Sequence, residues 1–115
     1  MRKALKKPKK PRKISRIIED IDDLILAELI AERGPRCQIC GGYKQLGLFH
    51  IIPKGSHPRL RFHRDNLLIA GWFCCHLPFH HSYYEARDRI VPRIKDIVGN
   101  DYEEVLLAAE KEIPR

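Results

Sequence analysis

Every cysteine and every histidine of this chain falls between Cys37 and His81. So dense a set of metal-ligand groups in 115 residues constrains the fold more than any hydrophobic pattern does. A chain of that length makes one domain, and its modest core would gain considerably from a structural metal ion. Cys37-Gln38-Ile39-Cys40-Gly41-Gly42 places two thiolates three residues apart on a tight turn, where they converge on one tetrahedral ion. The glycines let the backbone fold back. A thioredoxin-like redox pair needs a strand before it and a helix after it, whereas here a helix precedes the motif and a glycine turn follows. Half a zinc site is the better reading.

Charge is unevenly spread around this window. The net charge is +7, and residues 1–13 carry eight Lys/Arg and no acid. Residues 14–35 hold two basic against six acidic side chains, residues 36–98 ten against four, and residues 99–115 two against five. Positive charge thus sits on the N-terminal tail and the Cys/His window, between acidic flanking helices. That arrangement suits a polyanion such as DNA. No apolar run approaches membrane-spanning length, and no apolar segment follows the basic N-terminus as in a signal peptide. The expectation is a soluble cytoplasmic protein with no membrane partner, of a bacterium or a phage-infected cell, with its cysteines reduced.

Residues 1–13 alternate lysine pairs with Pro8 and Pro11 and read as a disordered basic arm. A single domain is expected over residues 14–115. Ser15 can cap a helix over residues 14–33, with Ile14, Ile17, Ile18, Ile21, Leu24, Ile25 and Leu29 at helical spacing. Gly34-Pro35 stops it, and the acids opposite read as a solvated face. Gln45 to Ile52 and Asn66 to Gly71 read as strands joined by a basic loop. A helix is expected to start near or after Pro78. Leu77 is biased away from helical angles by the proline that follows. Ser82-x-x-Glu85 and Asp101-x-x-Glu104 are capping boxes, and Pro92 should break or kink the helix between them. Further helices fill residues 92–112, the last packing through Tyr102, Val105, Leu106 and Ala109.

His50 in Phe-His-Ile-Ile-Pro-Lys-Gly, Asn66 in Asp-Asn-Leu-Leu and His76 in Cys-Cys-His follow the cysteine turn in order. With Arg-x-Arg-Phe between them, this order resembles the HNH endonucleases of the ββα-metal class, most closely the phage-type recombination enzymes. The resemblance implies an α+β fold: a small zinc-stabilised ββα core over residues 36–90, flanked by helices. It implies hydrolysis of DNA phosphodiester bonds, with branched or recombining DNA as the analogous substrate. His50 would be the general base, Asn66 would hold the loop and orient it, and His76 would bind a catalytic Mg²⁺ or another divalent ion. Lys54, Arg59, Arg61 and Arg64 would contact phosphates.

The sequence departs from the family pattern at two places. Phe49 stands where many members carry a metal ligand, so the ion would lean on His76 with His80 or His81. Gly71 or Trp72 stands where a second Cys-x-x-Cys would begin, and Cys74 and Cys75 are adjacent. Neighbours on an extended chain point oppositely, so joint ligation by both requires a local distortion. Cys37, Cys40 and one of that pair are the expected zinc ligands, with the other cysteine or a histidine as the fourth. The alternative function is a zinc-stabilised DNA-binding module without catalysis. The oligomeric state is left open.

Overall fold

The computed structural model describes residues 11–114. The first described element is α1, Pro11–Arg33. The helix therefore begins ahead of Ile14, and Ser15 lies within it instead of capping it. Of the expected arm, positions 11–13 are helical and positions 1–10 lie outside the described residues.

β1, Leu46–His50, pairs antiparallel with β2, Leu67–Gly71, so that Phe49 faces Leu68 and His50 faces Leu67. Strand alternation divides the core. Leu67 and Ile69 pack with Leu29 of α1, whereas Phe49, Leu68 and Ala70 join Ile90, Ile94 and Leu106 on the other face. A two-stranded ribbon is marginal alone and is stabilised here by helices on both faces. The outer edge of β2 is also occupied. Gln38 N–H donates to the Ile69 carbonyl at 2.8 Å, Gln38 Oε1 accepts from Ile69 N–H at 2.9 Å, and Arg33 donates to the Leu67 carbonyl at 2.8 Å. The cysteine turn is thereby docked onto the strand that leads to Cys74.

α1 reaches the sheet through Ile25, Leu26, Leu29 and Ile30. Ile14, Ile17 and Leu24 of the expected apolar stripe are exposed by 62, 54 and 60 %. A helix of 23 residues is ~35 Å long and outreaches a five-residue strand pair of ~17 Å.

After β2 the chain is almost wholly helical: α2 (Leu77–His81), α3 (Tyr83–Glu85), α4 (Val91–Val98) and α5 (Tyr102–Glu110). Two π turns, Trp72–His76 and Ala86–Ile90, precede α2 and α4. Each is followed two residues later by a proline, Pro78 or Pro92. The N–H groups of Leu77 and Val91 reach back five residues, to the Trp72 and Ala86 carbonyls. A proline ring clashes with the carbonyl four residues back in an α-helix, and the wider turn moves that carbonyl aside. Leu77 is consequently helical (φ −63°, ψ −47°) despite Pro78, and the helix continues through Pro92. Ser82 does cap the next segment, its Oγ accepting from Glu85 N–H at 3.3 Å. Asp101 stands at the start of α5 without a side-chain cap, and Val105 is 54 % exposed, leaving Leu106 as the buried residue. No helix among the described residues is long and apolar enough to cross a membrane.

The two faces of α1 should respond differently to truncation. Leu29→Ala, at a fully buried site, is expected to cost about 3 kcal/mol in urea unfolding. Leu24→Ala should stay within about 0.5 kcal/mol.

Candidate functional site

Two centres are built on the sheet and its following helix. The first is sulfur. The Sγ atoms of Cys37, Cys40, Cys74 and Cys75 lie within 4.8 Å of one another, and none is in a disulfide. Tetrahedral zinc with Zn–S of about 2.3 Å separates its sulfurs by roughly 3.8 Å, so the cluster fits such an ion. Both Cys74 and Cys75 lie in the cluster, so four sulfurs are close enough together to hold one ion. Both lie there because Trp72–His76 is a π turn. On a helical turn neighbours diverge by about 100° or less, where a strand would send them 180° apart.

Two glycines make the geometry possible. Gly41 holds φ +86°, closing the turn in which Gly41 N–H donates to the Cys37 carbonyl at 2.8 Å. A Cβ on Gly71 would stand 2.6 Å from Cys74 Sγ and 3.0 Å from the Lys44 carbonyl. The position that lacks an expected cysteine is thus the space the adjacent cysteine fills.

Burial pushes the Cys37 thiol up, but hydrogen bonds from the backbone of Gly71, Cys40 and Ile39 outweigh it and bring Cys37 to about 7. Burial, with Cys40 as neighbour, holds Cys74 at about 11, and burial raises Cys75 further. An entering metal ion displaces the remaining protons. Arg89 donates to the Cys74 carbonyl at 2.8 Å and to Cys75 Sγ at 3.6 Å. Arg93, four residues on, donates to the Ile39 carbonyl at 3.0 Å, so the second helical run grips both halves of the cluster. Neither arginine stood out in the sequence; their spacing on one helix face is the only signal.

The second centre is imidazole. His50 ends β1, half-buried, with Nε2 3.0 Å from the Arg61 carbonyl. A carbonyl only accepts, so Nε2 carries the proton and Nδ1 keeps its lone pair. Burial, then the Lys54 charge, hold His50 below the usual imidazole value; the Arg61 carbonyl and Asp22 oppose them. Burial, followed by the neighbouring His80, His50 and Lys54, pushes His76 down to about 4. Both rings are therefore neutral near pH 7.

Asn66 is fully buried and closes the loop between the strands. Its Oδ1 accepts from Ile52 N–H at 2.7 Å, and its Nδ2 donates to the Ile52 and Leu60 carbonyls at 3.0 and 3.3 Å. One amide thus fixes the chain just after His50 and just before Arg61, whose carbonyl orients the His50 ring.

The His76 ring lies 5.1 Å from that of His80, 5.4 Å from Phe49 and 4.9 Å from Trp72, centroid to centroid. His81 is exposed at the end of α2. Phe49 packs edge-on against His76 and offers no ligand atom there. Among the described residues the cysteine cluster is the only group of three or more close metal-ligating side chains. Two imidazoles without a carboxylate are a poor set for Mg²⁺ and a suitable one for an imidazole-preferring transition ion.

The loop cations divide. Arg61 pairs with Asp22 of α1 at 2.8 Å, and Arg64 pairs with Glu28 and, at 3.3 Å, with Glu32. The acids expected to form only a solvated face thus anchor the loop, and Arg61 and Arg64 are engaged within the chain. Lys54 and Arg59 are the loop cations outside those pairs. Arg61 Nε and Asp22 Oδ1 are buried without a partner, and Asp22 acts electrostatically on His50, a link the sequence reading missed. His57 ties the same loop to Glu110 of α5 at 3.0 Å. Comparison with known proteins returns no match among family models, curated proteins or solved structures.

Two substitutions probe the centres separately. Gly71→Ala should weaken zinc binding about tenfold in a chelator competition, by displacing Cys74 Sγ. Asn66→Ala leaves buried Ile52 and Leu60 backbone groups unpaired, and a loss of about 3 kcal/mol in chemical denaturation is expected.

Proposed function

We propose that this chain is a metal-dependent endonuclease that hydrolyses DNA phosphodiester bonds, with an HNH-like ββα core held by zinc on the four cysteines. One observation carries the proposal: His50 is a neutral imidazole whose Nε2 is tied to the Arg61 carbonyl, inside a loop clamped by Asn66. That is the preparation a general base requires, with tautomer fixed, ring oriented and lone pair available. Nδ1 takes a proton from water as the water oxygen attacks phosphorus, the P–O bond to the departing sugar oxygen breaks, and that oxygen takes a proton from solvent water. Lys54, whose charge acts on both His50 and His76, and Arg59 hold the flanking phosphates. His76 with His80 would hold a divalent ion, which when bound stabilises charge on the phosphate. The order β1, clamped loop, β2, helix, with His50 and His76 at its ends, supports the assignment.

A zinc-stabilised DNA-binding module without catalysis is the alternative, and Phe49 against His76 is the observation in its favour. Nicking of supercoiled plasmid under Zn²⁺, Mn²⁺, Ni²⁺ and Mg²⁺ separates the two. His50→Ala should lower the nicking rate at least about 100-fold while leaving DNA retention intact. Equal nicking by both proteins, or none with any ion alongside salt-dependent retention, would overturn the nuclease.

The pH profile gives an independent check. The base acts in its neutral form, and its pKa is shifted below 6.5. The nicking rate should rise with pH through a midpoint below 6.5 and stay level through neutrality. A midpoint above 7 would remove His50 from that role.

A further inference from the structure

Large exposed aromatic side chains gather beside the sulfur cluster. Tyr43 is 75 % exposed, Phe73 66 % and Trp72 43 %. Tyr43 and Phe73 line one groove of about 750 Å³, together with Gly42, Lys44, Gln45 and Cys74 and without any acidic residue. Both rings are mounted on the segments that carry the cysteines. Tyr43 follows the cysteine turn directly, and Phe73 sits in the π turn just before Cys74. The two segments are joined where Trp72 N–H donates to the Gln45 carbonyl at 3.0 Å. The Trp72 ring, next along the chain from Phe73, lies 4.9 Å from His76, so one turn of chain carries both a groove-lining ring and the contact to the imidazole centre.

Two exposed aromatic rings and a lysine lining one groove are the elements by which proteins hold unpaired bases: stacking surfaces for the base and a cation for its phosphate. A base inside a continuous duplex cannot offer its face. We propose that the groove between Tyr43 and Phe73 stacks an unpaired nucleobase, so that the DNA this protein acts on contains a single-stranded segment. The proposal rests on the nuclease reading for its choice of DNA and sharpens it by naming the strand state. Lys44 contacts the phosphate of the stacked nucleotide, and the adjoining backbone is led towards His76 and His50.

Fluorescence anisotropy with a labelled 20-nucleotide single strand and the matching duplex tests this on the full zinc-loaded chain. Tyr43→Ala/Phe73→Ala should weaken single-strand binding about tenfold to hundredfold and change duplex binding less than twofold. Tyr43→Leu, which keeps apolar bulk and removes the π face, should reproduce part of the loss, and Phe73→Tyr should bind as the parent does. Zinc content and circular dichroism establish that each variant is folded, and Tyr43→Leu carries the test if the double variant loses zinc. Single-strand affinity that is the same in parent and folded variants overturns the proposal. So does a fall in molecular mass by light scattering on substitution, which would make the groove an interface between copies. The two proposals fail independently. Absence of nicking with any ion, combined with variant-sensitive single-strand binding, removes the nuclease and keeps the groove. His50-dependent nicking with unchanged single-strand binding does the reverse.

Discussion

Four sulfurs converge because the chain turns helical one residue after β2 ends, and much of the fold follows from that. The π turn Trp72–His76 lets two adjacent cysteines face one point. It makes room for Pro78 and presents His76 towards Phe49 and His80. The cysteine turn at the other side of the cluster closes the outer edge of β2 through Gln38. A metal ion here would join the start of the sheet region to its end, tying segments more than thirty residues apart. In a small domain with a two-stranded sheet, such a tie supplies order that the apolar core does not supply alone.

The imidazole centre depends on a different device, a single buried amide. Asn66 satisfies three backbone groups of the loop, and the Arg61 carbonyl that orients His50 is held one residue from one of them. α1 reinforces the same loop from outside through Asp22, Glu28 and Glu32. The pair Arg61–Asp22 is largely withdrawn from water, with about a quarter of each side chain exposed, whereas Arg64 and its partners are solvated and contribute little individually. The acidity of α1 is therefore matched to the basic loop it covers, and the positive charge left on the surface is more localised than the net charge suggests.

Strand and helix identities were legible in the sequence, because period-2 and period-3.6 apolar patterns and the Gly34-Pro35 stop report directly on local structure. The Ser82 cap was legible too, since it acts over three residues, whereas the hold of Asn66 on the loop, fourteen residues back at Ile52, was expected only from the family resemblance. The extent of the buried face on α1 was not, because a stripe of isoleucines records what a helix can bury and not how far its partner extends. Pro78 misled for a related reason. Its rule describes α-helices, and a π turn changes the position of the carbonyl it would strike.

Residue type and order by themselves determined that this chain pairs two strands, packs helices on them and carries ligands for a metal ion. Only the tertiary structure decided that Cys74 and Cys75 both join the cluster, that Gly71 is the space for one of them, and that Arg61 and Arg64 turn inward to α1. It also decided that His50 is held by a backbone carbonyl eleven residues away. Local composition fixes what each segment is able to form. Which side chains meet depends on helix phase and loop closure, and those are set by contacts between segments distant in the chain.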